Sequence, residues 1–121
     1  MQKLAAREEQ VMLILWRLEK AFVKDIVEEF PEPKPHYNSI STMVRILAEK
    51  GFVGHTAFGR THQYHPLISQ EEYTNQEVEN VVGKYFDNSF RKMISHFAKE
   101  EKVSSSELED ILKMIKKGKE E

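Results

Sequence analysis

A run of polar side chains in the middle of the chain has the residue types and spacing needed to contact a nucleic acid. Asn38, Ser41, Thr42 and Arg45 recur every three or four residues, so a helix through them would carry all four on one face. Their short amide and hydroxyl groups, with one guanidinium, suit close approach to a groove of base edges and phosphates. The alternative interpretation is an ordinary solvated face, although exposed helix positions are more often Glu, Lys or Ala.

Three helices are expected to position this face. Apolar residues repeat at helical spacing over about residues 4–19, 23–30 and 36–50. Residues 31–35 contain three prolines, which stop the second helix and form a stiff connector. We predict that Trp16, on the first helix, belongs to the core rather than to a ligand platform, because aromatic residues at helical spacing are usually buried.

A β-hairpin is predicted directly after the third helix. Aromatic and β-branched residues in 52–58 and 61–65 flank a Gly59-Arg60 turn, which places Arg60 and His62 at or beside the tip. A helix-turn-helix followed by a hairpin is the layout of a winged helix. In that fold the third helix enters the major groove, and the hairpin, or wing, reaches the flanking backbone.

The distribution of charge is compatible with nucleic-acid binding, although the chain as a whole has a formal net charge of −2. Residues 33–66 hold four Lys or Arg against one acidic residue, for a net of +3, and four of the five histidines. Residues 71–121 have a net charge of −3. Charge alone does not distinguish this modest basic island from ordinary surface charge.

The sequence lacks the motifs of the common enzyme classes. It contains no Gly-rich phosphate loop, no HExxH motif and no nucleophile elbow. Cysteine is absent, which excludes disulfides and thiolate metal sites. His62 and His65 are three apart on a predicted strand, so their side chains should point to opposite faces rather than share a metal. We therefore predict that the chain is not an enzyme and uses no cofactor or metal.

The C-terminal part is predicted to be helical and to pair with a second copy. Ser69-x-x-Glu72 and Ser104-x-x-Glu107 are capping boxes, and Gly83 and residues 87–89 are the positions expected to bend or break the helix between them. Some fifty residues cannot bury these apolar faces alone, so we predict a homodimer; packing against the N-terminal region is the alternative. The expected dimerisation residues are Val78, Val81, Val82, Tyr85, Phe86, Phe90, Met93, Ile94, Phe97, Leu108, Ile111, Leu112 and Ile115.

These patterns predict a mainly α fold with a small β-hairpin. Residues 1–68 would form a winged helix-turn-helix DNA-binding domain, and residues 69–121 a helical dimerisation domain. No apolar run approaches the roughly 20 residues of a membrane helix, and the first residues have no signal-peptide pattern. We therefore expect a soluble, cytoplasmic protein that does not insert into a membrane.

Three separated motifs resemble the penicillinase-repressor (BlaI/MecI) family, and the resemblance covers essentially the whole chain. They are Glu9-x-Val11-Met12-x-Ile14-Leu15-Trp16 in the first helix, residues 40–47 with Lys50-Gly51-Phe52-Val53 in the third helix and its exit, and Gly59-Arg60-Thr61-His62-Gln63-Tyr64-x-Pro66-Leu67 in the wing.

The resemblance implies a homodimeric repressor that binds a palindromic operator and controls genes for β-lactam resistance or another regulon. It adds Ser39 to Asn38, Ser41, Thr42, Arg45, Arg60 and His62 as residues that contact DNA. It also implies induction by a membrane sensor protease that leads to a cut in the dimerisation region, which maps to the His96–Phe97 bond. Known repressors of the family have Asn before this Phe, whereas this chain has His96.

Two functional hypotheses follow from the sequence. The first is a dimeric, sequence-specific DNA-binding transcriptional repressor, supported by the third helix, the wing and the apolar C-terminal helices. The second is a winged-helix module that binds another protein and no operator, because a fold does not fix its function. Net acidity slightly favours the second hypothesis.

Overall fold

The computed structural model describes residues 2–120. The chain divides into two compact units, of which the first ends at Gln76 and the second begins at Glu77. The elements in chain order are α1 (Ala6–Leu18), β1 (Ala21–Phe22), α2 (Val23–Glu28), α3 (Tyr37–Glu49), β2 (Val53–Phe58), β3 (Thr61–Pro66), α4 (Gln70–Tyr85), α5 (Phe90–Lys99) and α6 (Ser105–Glu120).

The core of the first unit lies between the inner faces of α1, α2 and α3. The periodicity of α3 is realised, since Ile40, Val44 and Leu47 are fully buried and Met43 packs against them. Polar capping defines the start of α2, where the Asp25 carboxylate accepts the backbone N–H of Phe22 at 3.0 Å. This helix ends at Glu28, two residues before the predicted end.

Aromatic residues extend this core to the start of α4. The indole N–H of Trp16 donates to the carbonyl of Ile68 at 2.8 Å, and the Trp16 and Tyr73 ring centroids lie 5.6 Å apart. The Tyr73 hydroxyl donates to Glu9 at 3.0 Å. Trp16 is thus part of the core periphery, as predicted. Tyr73 belongs to the first unit, whose end at Gln76 lies beyond the domain boundary predicted after residue 68.

A half-buried ion pair joins α1 to the end of α3. The Lys50 ammonium lies 2.8 Å from a carboxylate oxygen of Glu8, which also accepts the backbone N–H of Ala5 at 2.8 Å. Burial raises the pKa of Glu8, but the hydrogen bonds from Lys50 and Ala5 and the attraction of the ammonium together hold it below its ordinary value. The pair therefore contributes to stability only while Glu8 is ionised.

The sheet has three antiparallel strands in the order β1-β3-β2. The hairpin register pairs Phe58 with Thr61, which leaves Gly59 and Arg60 as a two-residue turn. Gly59 has φ +63°, a conformation that a glycine adopts without strain at the first position of a hairpin turn. The two-residue strand β1 is not predicted from the sequence, since so short a segment has no recognisable alternation.

The second unit contains the later part of α4 together with α5 and α6. The break lies at residues 86–89, where Asp87 and Asn88 both adopt positive φ, whereas α4 continues through Gly83 without a break. The Ser89 hydroxyl accepts the backbone N–H of Lys92 and so starts α5, while Ser104 accepts that of Glu107 and starts α6. Within residues 2–120, no helix is long and apolar enough to cross a membrane.

Candidate nucleic-acid interface

The polar face of α3 is exposed, as the helical pattern predicts. Asn38, Ser39, Thr42 and Arg45 are all exposed, and Ser41 is half-buried on the side that faces the wing. The buried residues of this helix occupy the opposite face. The five α3 residues predicted to contact DNA therefore lie on one continuous outer surface.

The hydroxyl of Thr42 is already bonded within α3. Its Oγ1 donates to the backbone carbonyl of Asn38 at 2.9 Å, the pairing with residue i−4 that Ser and Thr commonly make in helices. Thr42 can then offer a ligand its oxygen lone pairs and its methyl group, but its only side-chain donor is occupied.

The wing places Arg60 and His62 in different surroundings. Arg60 lies in the turn itself and is exposed. His62 lies on β3, where its ring stacks on that of His55 with centroids 4.1 Å apart and an angle of 8° between the planes. The ring of Tyr64, 6.1 Å from His62, packs against the same pair. The stack supports the His62 side chain on the face of the wing that borders α3.

A cleft of about 280 Å³ separates α3 from the wing and brings together four of the seven predicted residues. Ser41 and Arg45 line it from α3, and Arg60 and His62 line it from the wing. The rest of its wall is formed by Val23, Tyr37, Thr61 and Tyr64. Asn38, Ser39 and Thr42 are not part of this lining and lie elsewhere on the α3 surface.

Sequence reasoning missed Tyr37 and Thr61, which both contribute to the cleft. Tyr37 is 52% exposed and precedes Ser41 by four residues, a spacing that places the two side by side on a helix. Thr61 directly follows the wing turn. Helical spacing could have identified Tyr37, whereas the position of Thr61 against α3 depends on how the hairpin packs.

The structure separates the cations of the basic island by role. Lys50 is paired with Glu8, and the Lys34 ammonium donates to the carbonyls of Glu28 and Phe30, which caps the end of α2. Among the described residues, Arg45 and Arg60 make neither an ion pair nor a side-chain hydrogen bond to another residue. Two uncompensated guanidinium groups therefore face the cleft, which favours an anionic ligand such as a phosphate.

The groups that line the cleft suit the binding of an anionic ligand. Guanidinium, hydroxyl and imidazole groups surround an open cleft, and they supply hydrogen-bond donors for phosphates and base edges. The described residues contain no group of three or more His, Asp or Glu placed to hold a metal ion. The His62 ring stacks on His55 on one face of the hairpin, whereas the His65 side chain lies beside Gly54 on the other face. The two histidines therefore point to opposite faces, as predicted.

The family model of the penicillinase repressor matches residues 4–117 of this 121-residue chain. The chain belongs to the penicillinase repressor family. The resemblance inferred from the three sequence motifs is thereby confirmed, and it includes both compact units. The family match extends through α4, α5 and most of α6, so the helical C-terminal unit is a family feature and not an appendage.

Named relatives of the family agree in length with this chain. It is 24% identical over 116 residues to the methicillin resistance regulatory protein MecI of Staphylococcus aureus (strain N315). This alignment covers 95% of this chain and 94% of the relative. It is 20% identical over 113 residues to the penicillinase repressor of Bacillus licheniformis, in an alignment that covers 93% of this chain and 88% of the relative.

Solved structures agree with the winged-helix fold. The DNA-binding domain of the repressor BlaI superposes with a TM-score of 0.51 and 26% identity, covering 60% of this chain and 94% of that one. The complex structure of hsRosR-S4 superposes with a TM-score of 0.55 and 17% identity, covering 83% of this chain and 90% of that one, and indicates the fold alone.

The C-terminal helices of this penicillinase repressor family member expose most of the residues expected to form a dimer. Phe86, Met93 and Leu108 are half-buried. Val82 is 2% exposed in the single chain, so its burial does not depend on a second copy. The exposed members are Val78, Val81, Tyr85, Phe90, Ile94, Phe97, Ile111, Leu112 and Ile115, together with Met114, which the sequence reasoning did not include.

The residues of the expected cleavage bond lie inside α5. His96 and Phe97 are both exposed, and both rings pack near Phe86, with centroids at 5.6 Å and 6.3 Å. The bond between them is held in helical geometry, three residues before the helix ends at Lys99.

Proposed function

We propose that this chain is a DNA-binding transcriptional repressor that acts as a homodimer on a palindromic operator. The single observation that carries the proposal is the cleft between α3 and the wing, into which Arg45 and Arg60 project without an acidic partner among the described residues. Family membership and the names of the relatives, a penicillinase repressor and a methicillin resistance regulatory protein, support the repressor role.

In this proposal α3 lies in the major groove and the wing rests on the adjacent backbone. Asn38, Ser39, Ser41, Thr42 and Arg45 contact base edges and nearby phosphates, because they lie on the side of α3 opposite its buried residues. Arg60 and His62 contact phosphates from the wing. Phosphate contacts fix the position of the protein, and base contacts select the sequence.

The proposed dimer forms through the apolar faces of α4, α5 and α6. Large hydrophobic side chains such as Phe90, Ile94 and Leu112 are 40–51% exposed in one chain, and a second copy would cover them symmetrically. A two-fold dimer presents two α3 helices to DNA, and its binding site is then palindromic.

We further propose that the protein regulates either genes for β-lactam resistance or a different set of genes. We also propose that it acts in the cytoplasm. Induction would involve a membrane sensor protease and a cut at the His96–Phe97 bond. Because α5 holds that bond in a helix, the helix must open locally before a protease can bind it in extended form.

Footprinting and gel shifts on DNA that surrounds the gene test the proposal. The full chain should bind saturably at low salt, and binding should weaken steeply as salt rises because phosphate contacts release counterions. Arg45→Ala should lose about 1–3 kcal/mol on the specific site if Arg45 reads a base. Arg60→Ala should weaken specific and random DNA alike and reduce the salt slope by about 1.

Arg17→Ala is the matched control. Arg17 is an equally charged residue on α1 whose partner is Glu29, and its side chain is 60% exposed, so its loss should leave DNA binding unchanged. Absence of saturable binding to every fragment at low salt would contradict the proposal. Stable binding to a protein partner, without a footprint, would favour the protein-interaction module instead.

A further inference from the structure

One residue on the outer surface of α3 differs in kind from its neighbours. Ile46 is 37% exposed, whereas the other aliphatic residues in the middle of this helix, Ile40, Val44 and Leu47, are fully buried. It follows Thr42 by four residues, so the two side chains are neighbours on the helix surface. The α3 residues proposed to contact DNA are all polar, and Ile46 interrupts that surface with an aliphatic group.

Packing of the hydrophobic core does not explain why an aliphatic residue occupies position 46. The inner face of α3 is complete with three fully buried residues, and Met43 packs against it. At about 100° per residue, Ile46 lies beyond the edge of that inner face and beside Thr42. An exposed helix position would ordinarily hold a polar residue with high helix propensity rather than a β-branched one.

Thr42 extends the apolar character of this part of α3. Because its hydroxyl donates to the carbonyl of Asn38 at 2.9 Å, it has no free side-chain donor, and its methyl group is one of the features left for a ligand. A rise of about 1.5 Å per residue places Ile46 about 6 Å beyond Thr42 along the helix axis, which corresponds to roughly two base-pair steps.

We propose that Ile46 is a specificity-determining residue that reads the C5-methyl group of thymine, with the Thr42 methyl contributing to the same strip. Thymine is the base that presents a methyl group in the major groove, and apolar side chains recognise it by contact. This inference rests on the proposed function, since it requires α3 to lie in the major groove. It assigns to Ile46 the recognition of the thymine methyl group, a contact that the hydrogen-bonding groups of α3 do not make.

The test replaces single thymines with deoxyuridine, which removes the methyl group and keeps the base pair. An operator fragment defined by footprinting is synthesised with one such replacement at a time, and the affinity of the full chain is measured for each. At one or two positions per half-site the replacement should weaken binding about 3- to 5-fold, the effect of losing one buried methyl-sized contact. Ile46→Ala should bind the unmodified operator correspondingly more weakly and should be indifferent to deoxyuridine at those positions.

Leu13→Ala is the control for truncation of an exposed aliphatic residue. Leu13 is 46% exposed on α1, and its variant should retain the full deoxyuridine penalty. An equal penalty in Ile46→Ala and the unaltered chain overturns the inference while leaving the proposed function intact. Loss of the penalty in Leu13→Ala also overturns it, because the effect would not be specific to Ile46. If the unaltered chain binds no DNA specifically, the proposed function fails and this inference fails with it.

Discussion

The two units of the chain use the same kind of amphipathic helix with different results. In the first unit, sixteen buried residues among those described form one core, and distant segments are joined by hydrogen bonds such as Trp16 to Ile68. In the second unit α5 has no buried residue, and the described side chains of α6 are exposed or half-buried. The first unit is complete within one chain, whereas the second leaves a large apolar surface.

The difference shows what an apolar stripe does and does not specify. A stripe at helical spacing predicts that a face will be buried, but it does not say against which partner. Leu47 in α3 finds its partners within the chain, while Leu112 in α6 is 51% exposed. Variants at matched positions in the two units can separate stability within one chain from stability through association.

Leu47→Ala should give the largest loss of stability. Its side chain is fully buried, and truncation removes apolar contacts and leaves a cavity, so we expect about 3 kcal/mol lower free energy of unfolding. Ile46→Ala in the same helix should change the free energy of unfolding by no more than about 0.5 kcal/mol, because Ile46 is at the surface. Urea unfolding at a fixed protein concentration measures both. Equal losses would show that the first unit is not the independent core described above.

Leu112→Asp should act on association rather than on the first unit. A charge within the proposed dimer surface should weaken the dimer by about 2 kcal/mol, roughly 30-fold in the dissociation constant, and sedimentation should detect monomers. Ser106→Asp, which adds the same charge to an exposed polar position of α6, should leave the dimer intact. If the unaltered chain is a monomer at micromolar concentration, the dimer proposal is rejected.

Lys50→Met should have a smaller and pH-dependent effect within the first unit. Removal of the ammonium leaves Glu8 half-paired in a largely buried position, so we expect a loss of about 1–2 kcal/mol near pH 7. The native pKa of Glu8 is held below its ordinary value of 4.5, so its contribution is present above that pH and disappears as the pH falls through the native value.

Urea unfolding at about pH 7 and about pH 3 should therefore show a difference between Lys50→Met and the unaltered chain that shrinks in acid. Arg17→Ala is the reference, since the Arg17–Glu29 pair is exposed and should contribute less than about 0.5 kcal/mol. A penalty for Lys50→Met that does not change with pH would mean that the loss comes from packing of the lysine stem.

Features that depend on neighbours in sequence could be predicted well. Ser69 and Glu72 make the reciprocal capping bonds of the predicted box, and the same holds for Ser104 and Glu107. The wing turn forms where Gly59 allows it. Each of these depends on backbone geometry within a few residues, which the residue types specify directly.

The candidate site was only partly predictable, because its shape depends on distant segments. Helical spacing identified the exposed face that includes Asn38, Thr42 and Arg45. It did not show that Thr61 would line the same cleft as Arg45, or that Lys50 would be neutralised by Glu8, which is 42 residues away. The contacts of all these residues with DNA stay predictions.

The sequence by itself determined the order of helices and hairpin, their caps and turns, and which face of each helix is apolar, because periodicity and local hydrogen bonding act over a few residues. Only the tertiary structure decided which cations remain available at the cleft and which apolar faces remain uncovered. Packing brings together residues such as Arg45 and Arg60 from different elements, and it pairs Lys50 with Glu8 across the core. Contacts of that range depend on how the whole fold closes, and no local pattern in the sequence encodes them.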